Sequence, residues 1–315
     1  MMQQRQKYAR MSVQRKGLLR QYMRTHSDLY VLLLPGILLT LLFKYVPMYG
    51  LVIAFQDFNI FKGFAGSPFV GLTHFRKLFT DSYFYTALKN SFIISFYKLV
   101  FTFPLPIILA IMIFEARNKV FKRTVQTLVY LPHFLSWAVV YGIFYSILSL
   151  NGIWNDFTDF LGLGRVSYFI TPSVFRGVLV LTDAWKEMGW GCIIYLAALT
   201  SIDPSLYEAA RIDGAGKIQQ IMHVTLPGIM STIVIMLVLR LGSLLSAGFD
   251  QIFIMYNPTV YDVADIIDTY VYRQGIGQMN YSYSSAVGLF NSVVSMVLVL
   301  SSNAVAKRCF GYSMW

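Results

Sequence analysis

Asp183, Lys186 and Glu187 stand inside an otherwise apolar run, at spacings of three and four that give them one helix face, with Trp185 and Trp190 close by. Ionisable residues within a membrane span are costly and often functional. Two chemistries fit this cluster. It is either an internal ion pair that fixes neighbouring helices, or a polar and aromatic lining that hydrogen-bonds a hydroxylated solute and stacks on its rings. A second stripe, Ser284, Gly288, Asn291, Ser295 and Ser302, shares one face of the last apolar run. Its small residues suit close helix packing, and Asn291 is the candidate among them for a solute path. Lys98 and Arg240 are lone bases in or near apolar runs whose partners the sequence does not identify.

The other charged feature is an island between two long apolar runs: Glu208-Ala209-Ala210-Arg211-Ile212-Asp213-Gly214-Ala215, closing at Leu226-Pro227. Asp203-Pro204 ahead of it predicts a helix start, with Asp203 accepting from free amides and Pro204 in the first turn. Gly214 and Gly216 predict a break, and a second helix from about Lys217 leads to Pro227 and the next apolar run. Helix, turn, helix of this kind is either a surface gripped by a soluble partner or an amphipathic hairpin lying on the bilayer.

Other chemistries are poorly served. His26, His74, His133 and His223 are scattered without metal-ligand spacing, so no metal site is expected. Cys192 lies within a span and Cys309 beyond one, which gives no disulfide framework. Gly214-Ala215-Gly216-Lys217 fails as a phosphate loop, because Arg211 stands where glycine is needed and Ile218 where Ser or Thr is needed. No convergent set of acids, bases or nucleophiles supports catalysis. A membrane-embedded transferase would have to rest on Asp262, Asp265 and Asp268, and a secondary transporter would be expected to show internal repeats that are not evident.

The elements that position these residues follow from composition. Of the 315 residues 56% are hydrophobic and 13% charged, a balance outside the usual range of water-soluble domains. Six runs are long enough to cross hydrocarbon, at about 30 to 55, 90 to 114, 126 to 148, 175 to 199, 228 to 250 and 285 to 306. Backbone in lipid must satisfy its own hydrogen bonds, so the expectation is an all-α integral membrane protein of six transmembrane helices. A basic arm (1–29), the span domain (30–306) and a short tail (307–315) make up the chain. Arg5, Lys7, Arg10, Arg15, Lys16, Arg20 and Arg24 in the arm, and Arg117, Lys119, Lys122 and Arg123 after the second span, put both of those segments, the 200–227 loop and the tail in the cytosol. The net charge of +11 therefore reads as topology and lipid-headgroup contact, not nucleic-acid binding.

Glu208-Ala209-Ala210, three residues, Gly214, nine residues and Val224-Thr225-Leu226-Pro227 resembles the EAA loop of ATP-binding-cassette (ABC) importer permeases. Tyr195 to Leu199 with Ile202-Asp203-Pro204 is similar to the approach to that loop in carbohydrate permeases. Phe69-Val70-Gly71-Leu72 is similar to the segment before their second span, and Ala264 to Gly275 and Tyr45 to Gly50 resemble the polysaccharide-permease subgroup. The chain is thereby identified as a member of the type I ABC importer permeases.

That resemblance implies the type I permease fold and a division of labour in a bacterial cytoplasmic membrane, with both termini of this chain cytosolic. An external solute-binding protein would deliver an oligosaccharide, this chain and a second homologous permease would form the path as a heterodimer, and two ATPase subunits would bind ATP and Mg and drive it. This chain itself would bind no cofactor. Glu208, Ala209, Ala210, Asp213, Gly214, Leu226 and Pro227 carry over as the ATPase-coupling loop. A permease for a non-sugar solute is the alternative within the family.

Overall fold

The computed structural model describes Thr25 and residues 27–311; most of the basic arm and the last four residues of the tail lie outside it, and so does His26. Apolar stretches whose only hydrogen-bond partners are their own backbone form helices, and the regular elements among the described residues are all helices, joined by loops that hold one isolated bridge, Gln56 to Phe69. In chain order the main elements are α1 (Ser27–Phe55), α2 (Thr73–Leu78), α3 (Ser82–Phe101), α4 (Pro104–Glu115), α5 (Lys119–Tyr130), α6 (Trp137–Leu148), α7 (Ile153–Phe160) and α8 (Pro172–Thr200). Then come α9 (Pro204–Ile212), α10 (Lys217–Gly228), α11 (Met230–Gly242), α12 (Phe249–Met255), α13 (Ile267–Tyr272) and α14 (Tyr281–Phe310).

Among the described residues four helical stretches are long and apolar enough to span: α1, α3 continued by α4 over Ser82–Glu115, α6 continued by α7 over Trp137–Phe160, and α14. The pair α10 and α11, bent by 62°, makes a fifth. The expected sixth, α8, has 29 residues, about 43 Å at the helical rise, but carries Arg176, Asp183, Lys186 and Glu187 and so is not an apolar helix. The third run also shifts. Residues 126–130 belong to the amphipathic α5, Pro132 imposes a tight turn over Leu131–Phe134, and α6 starts only at Trp137 behind the Ser136 cap.

α8 is the axis of the bundle. Its one face packs Phe175, Val178 and Leu179 with Ile94, Val140, Phe144 and Ile252, and lower down Cys192, Tyr195 and Leu199 meet Ala110, Ile113 and Ile229. Gly189 is where α5 presses on α8: a Cβ there would sit 1.8 Å from the Val129 carbonyl oxygen. α14 closes the other side against α11, where Gly242 admits Val299. Within the stripe on α14, Ser284 lies against Gly275, whereas Gly288 faces open space.

The two ends of the bundle carry different polar contacts. At one end Asp81 caps α3 and accepts hydrogen bonds from Tyr270 (2.6 Å) and Tyr283 (2.8 Å), and Asn90 donates to the Asp262 and Asp265 carbonyls. Burial pushes the Asp81 carboxyl up, but the two phenols and the backbone amides of Tyr83 and Phe84 together hold it below its ordinary value. At the opposite end Glu115 pairs with Lys217, and Phe114 meets Tyr207, so the loop after α4 and the 203–228 hairpin lie on one face.

Candidate functional site

The hairpin is built almost entirely by local chemistry. Asp203 Oδ1 accepts from the Ser205 amide at 2.9 Å, which holds its carboxyl below the ordinary carboxylate value, and Pro204 occupies the first turn of α9. The helix ends in a Schellman closure: Gly214 N–H donates to the Arg211 carbonyl (3.1 Å) and Ala215 N–H to that of Ala210 (2.8 Å). That closure needs a left-handed residue, and Gly214 sits at φ +80°. Gly216 N–H then donates to Gln219 Oε1 to start α10, and Gln220 Nε2 donates back to the Ala215 carbonyl.

Two contacts tie the arms together. The Tyr207 hydroxyl lies 3.1 Å from Thr225 Oγ1, and Gly228 lets Ile202 approach where a Cβ would come within 2.7 Å. Leu226 is half-buried at this junction, and Pro227 opens the last turn before the bend at Ile229. The expected second helix is present but loosened, since Ile221–Thr225 takes the wider π form.

The outward face of the hairpin is bare. Glu208, Ala209, Arg211, Asp213 and Gly214 are exposed, and Ala210 is half-exposed. Ile212 is 87% and Ile218 78% exposed, too much apolar surface for a loop whose only neighbour is water. Beside it a cleft of about 730 Å³ is lined by Glu115, Arg117, Tyr207, Glu208, Arg211 and Lys217. Glu208 makes no hydrogen bond or ion pair among the described residues, so its carboxylate is available to an external donor.

The cluster in α8 is wired differently from the sequence expectation. Asp183 does not pair with Lys186. Its Oδ1 lies 2.8 Å from Lys98 Nζ of α3 and its Oδ2 3.7 Å from the Arg240 guanidinium of α11. Lys98 is buried and also donates to the Ala247 carbonyl and Gln251 Oε1, while Gln251 Nε2 donates to Thr182 and the Leu179 carbonyl. One carboxylate thus ties α3, α8 and α11, the arrangement that stabilises charge away from water.

Lys186 points the other way, into the carbonyls of His133 and Leu135 at the turn before α6, with Glu187 at 3.7 Å. Glu187 is held by His133 Nδ1 at 2.8 Å, and the His133 ring stacks on Trp190 with centroids 4.5 Å apart and planes at 3°. Trp185 leaves the path altogether: it packs edge-on against Phe144 in the core, because its position on the helix faces α6. Asn291 does not join the cluster either. It lies on α14, partly buried, with its Oδ1 unpartnered.

Asp183, Glu187, Trp190 and Arg240 line one cleft of about 480 Å³ with Trp137, Tyr195 and Ser243. His133, Trp137, Tyr195 and Gln251 are not among the residues that the sequence suggests for this cleft. A signal for the first connection existed: Lys98 and Arg240 were bases in apolar runs in need of an acid, and Asp183 was an acid in another. Nothing local said that they meet.

The model of the binding-protein-dependent transport system inner membrane component family matches residues 102–310. The chain belongs to that family. It is 46% identical over 281 residues to the polygalacturonan/rhamnogalacturonan transport system permease protein YteP of Bacillus subtilis, covering 89% of this chain and 88% of that one. Protein LplB of the same organism is 44% identical over the same shares. Among solved structures, a permease chain of a bacterial ABC transporter involved in import of the acidic polysaccharide alginate superposes with a TM-score of 0.84 at 42% identity, over 93% of this chain and 99% of that chain. A chain of a bacterial alginate ABC transporter in complex with an alginate pentasaccharide-bound periplasmic protein also superposes with a TM-score of 0.84, at 41% identity. The family member described here is therefore a transport permease subunit and not an enzyme.

Proposed function

We propose that this permease moves an oligosaccharide, delivered by an external solute-binding protein, through a path it forms with a second, homologous permease, driven by two ATPase subunits that bind the ATP and Mg. The observation that carries this reading is the hairpin. It is folded largely by its own hydrogen bonds, yet leaves Glu208, Ala209, Arg211 and Ile212 exposed among the described residues. Small residues at 209 and 210 let a partner surface approach the helix closely, Glu208 offers an acceptor, and the Gly214 closure makes the helix a rigid lever. Because α10 leads directly into the bent α11, a push on the hairpin reaches Arg240 and the cleft through one continuous segment.

The sugar assignment rests on the cargo named for similar proteins and on the chemistry of the cleft. Flat rings at Trp137 and Trp190 stack on pyranose faces, and Glu187 and Ser243 bond hydroxyls. In this reading the 200–227 loop, both termini and the basic arm face the cytosol of a bacterial cell. The test is ATP hydrolysis by the complex reconstituted in liposomes with its neighbouring permease, ATPase and binding protein, across neutral and acidic oligosaccharides. Stimulation by one sugar class supports import coupling and identifies the cargo; no stimulation by any sugar in an assembled complex refutes it.

A further inference from the structure

Charge in the cluster around the cleft does not balance. Lys98, Lys186 and Arg240 stand against Asp183 and Glu187, three bases against two acids inside a bundle where unpaired charge is expensive, and of the three bases only Arg240 reaches the cleft lining, beside Asp183 and Glu187. The excess can be located. Lys98 is buried, holds Asp183 at 2.8 Å and has two further acceptors, and Lys186 is buried among carbonyls. Arg240 has only the longer contact, 3.7 Å to a carboxylate already taken by Lys98, and its side chain is 42% exposed. It stands between the 480 Å³ cleft and a smaller cavity of about 70 Å³ that opens beside Asp183 and Ser243.

From this geometry we infer that Arg240 reads a carboxylate on the passing sugar, so that the cleft selects uronate-containing oligosaccharides over neutral ones. The inference rests on the oligosaccharide-import reading and adds to it the charge of the cargo and the residue that senses it. A guanidinium presents a planar fork of donors that matches a carboxylate bidentately, which Asp183 at 3.7 Å leaves unused. When a sugar carboxylate takes that fork, Asp183 keeps Lys98, and no buried charge is stranded. Trp190, stacked on His133 and 45% exposed at the cleft, is in reach of the ring that carries the carboxylate. Arg240 is thus a specificity-determining residue and not merely the third member of an ion-pair network.

The test uses the reconstituted complex with a matched pair of probes, oligogalacturonides and the same oligomers with their carboxyl groups reduced to alcohols, and reads half-saturating concentration for stimulated ATP hydrolysis and uptake. The expected result is a wild-type preference for the carboxylated probe of about tenfold or more, the worth of a charge-assisted bond. Arg240→Gln should remove that preference by weakening the acidic probe alone, and Arg240→Lys should restore part of it. If the wild type responds to both probes alike, or if Arg240→Gln weakens both equally, the inference is overturned while sugar import stands. If neither these probes nor a neutral oligosaccharide panel stimulates the complex, the import reading itself falls. Should Arg240→Gln fail to assemble, the wild-type ratio for the two probes and its Arg240→Lys counterpart still decide the matter.

Discussion

The hairpin of residues 203–228 and the ion cluster around Asp183 are both polar features in a chain dominated by apolar helices, and they are made in opposite ways. The bonds that close the hairpin on itself join residues within about twenty positions of one another, from the Asp203 cap to the Tyr207–Thr225 contact, and Lys217 to Glu115 with Phe114 to Tyr207 tie it to the loop after α4. The cluster draws Lys98, Asp183 and Arg240 from three helices spread over more than a hundred residues. The hairpin is exposed and faces outward, so it can be altered without disturbing the bundle. The centre of the cluster, Lys98 with Asp183, is buried and shared between helices, so neither of these two changes alone.

The largest effect that would sharpen this contrast is expected at Asp183. Asp183→Ala leaves Lys98 buried without its carboxylate and should destabilise the fold by about 3–5 kcal/mol. Thermal unfolding of the purified permease pair measures it, and a transition matching wild type would mean that the three helices do not depend on this tie. Next comes Gly214→Pro, which forbids φ +80° and strains the closure by about 1–3 kcal/mol. The damage should stay local: assembly and the bundle's melting are retained while uptake and stimulated ATP hydrolysis are lost, and Glu208→Ala should impair the same coupling without melting the hairpin. Intact coupling in an assembled complex carrying either change would remove the proposed role of the loop.

Tyr207→Phe is a smaller perturbation. It removes the bond to Thr225 and should loosen the arms by about 1 kcal/mol, seen as faster amide exchange over α9 and α10 with none in α8. Exchange spreading into α8 would show that the hairpin is not autonomous. The smallest effect is a pH dependence. The Asp203 carboxyl is held below its ordinary value by the Ser205 amide and hydroxyl, so the folded form is favoured above the unfolded value, and that contribution is lost as pH falls through the lower folded value. Asp203→Asn keeps a cap without the titration, so protection of the first turn of α9 should stop depending on pH in the acidic range. An unchanged pH profile in the variant would place the titration elsewhere.

The same contrast explains what could be foreseen. The helix start at Asp203, the break at Gly214 and the course of α14 are legible because caps, glycine and apolar length act on neighbours in sequence. Spacing puts Asp183, Lys186 and Glu187 on one helix face, where they can pair, but is silent on partners from other helices. Burial of Lys98 made it the stronger partner, and the turn at Pro132 offered Lys186 carbonyls instead. Trp185 was counted with the path for its nearness to Asp183, yet two residues along a helix turn a side chain by about 200°, which sends it into the core against Phe144. The third span was placed too early, since hydropathy does not see that Pro132 ends α5 in a turn.

By itself the sequence determined that this chain is an all-helical membrane protein with its basic loops and the hairpin gathered at one end, because hydrocarbon thickness, charge and local capping act residue by residue. Only the tertiary structure decided that Asp183 is shared by Lys98 and Arg240, that Glu187, His133 and Trp190 form one wall, and that Trp185 and Asn291 stand apart from it. Buried charges choose partners by distance and by how completely each is removed from water, and those quantities exist only once the helices have packed.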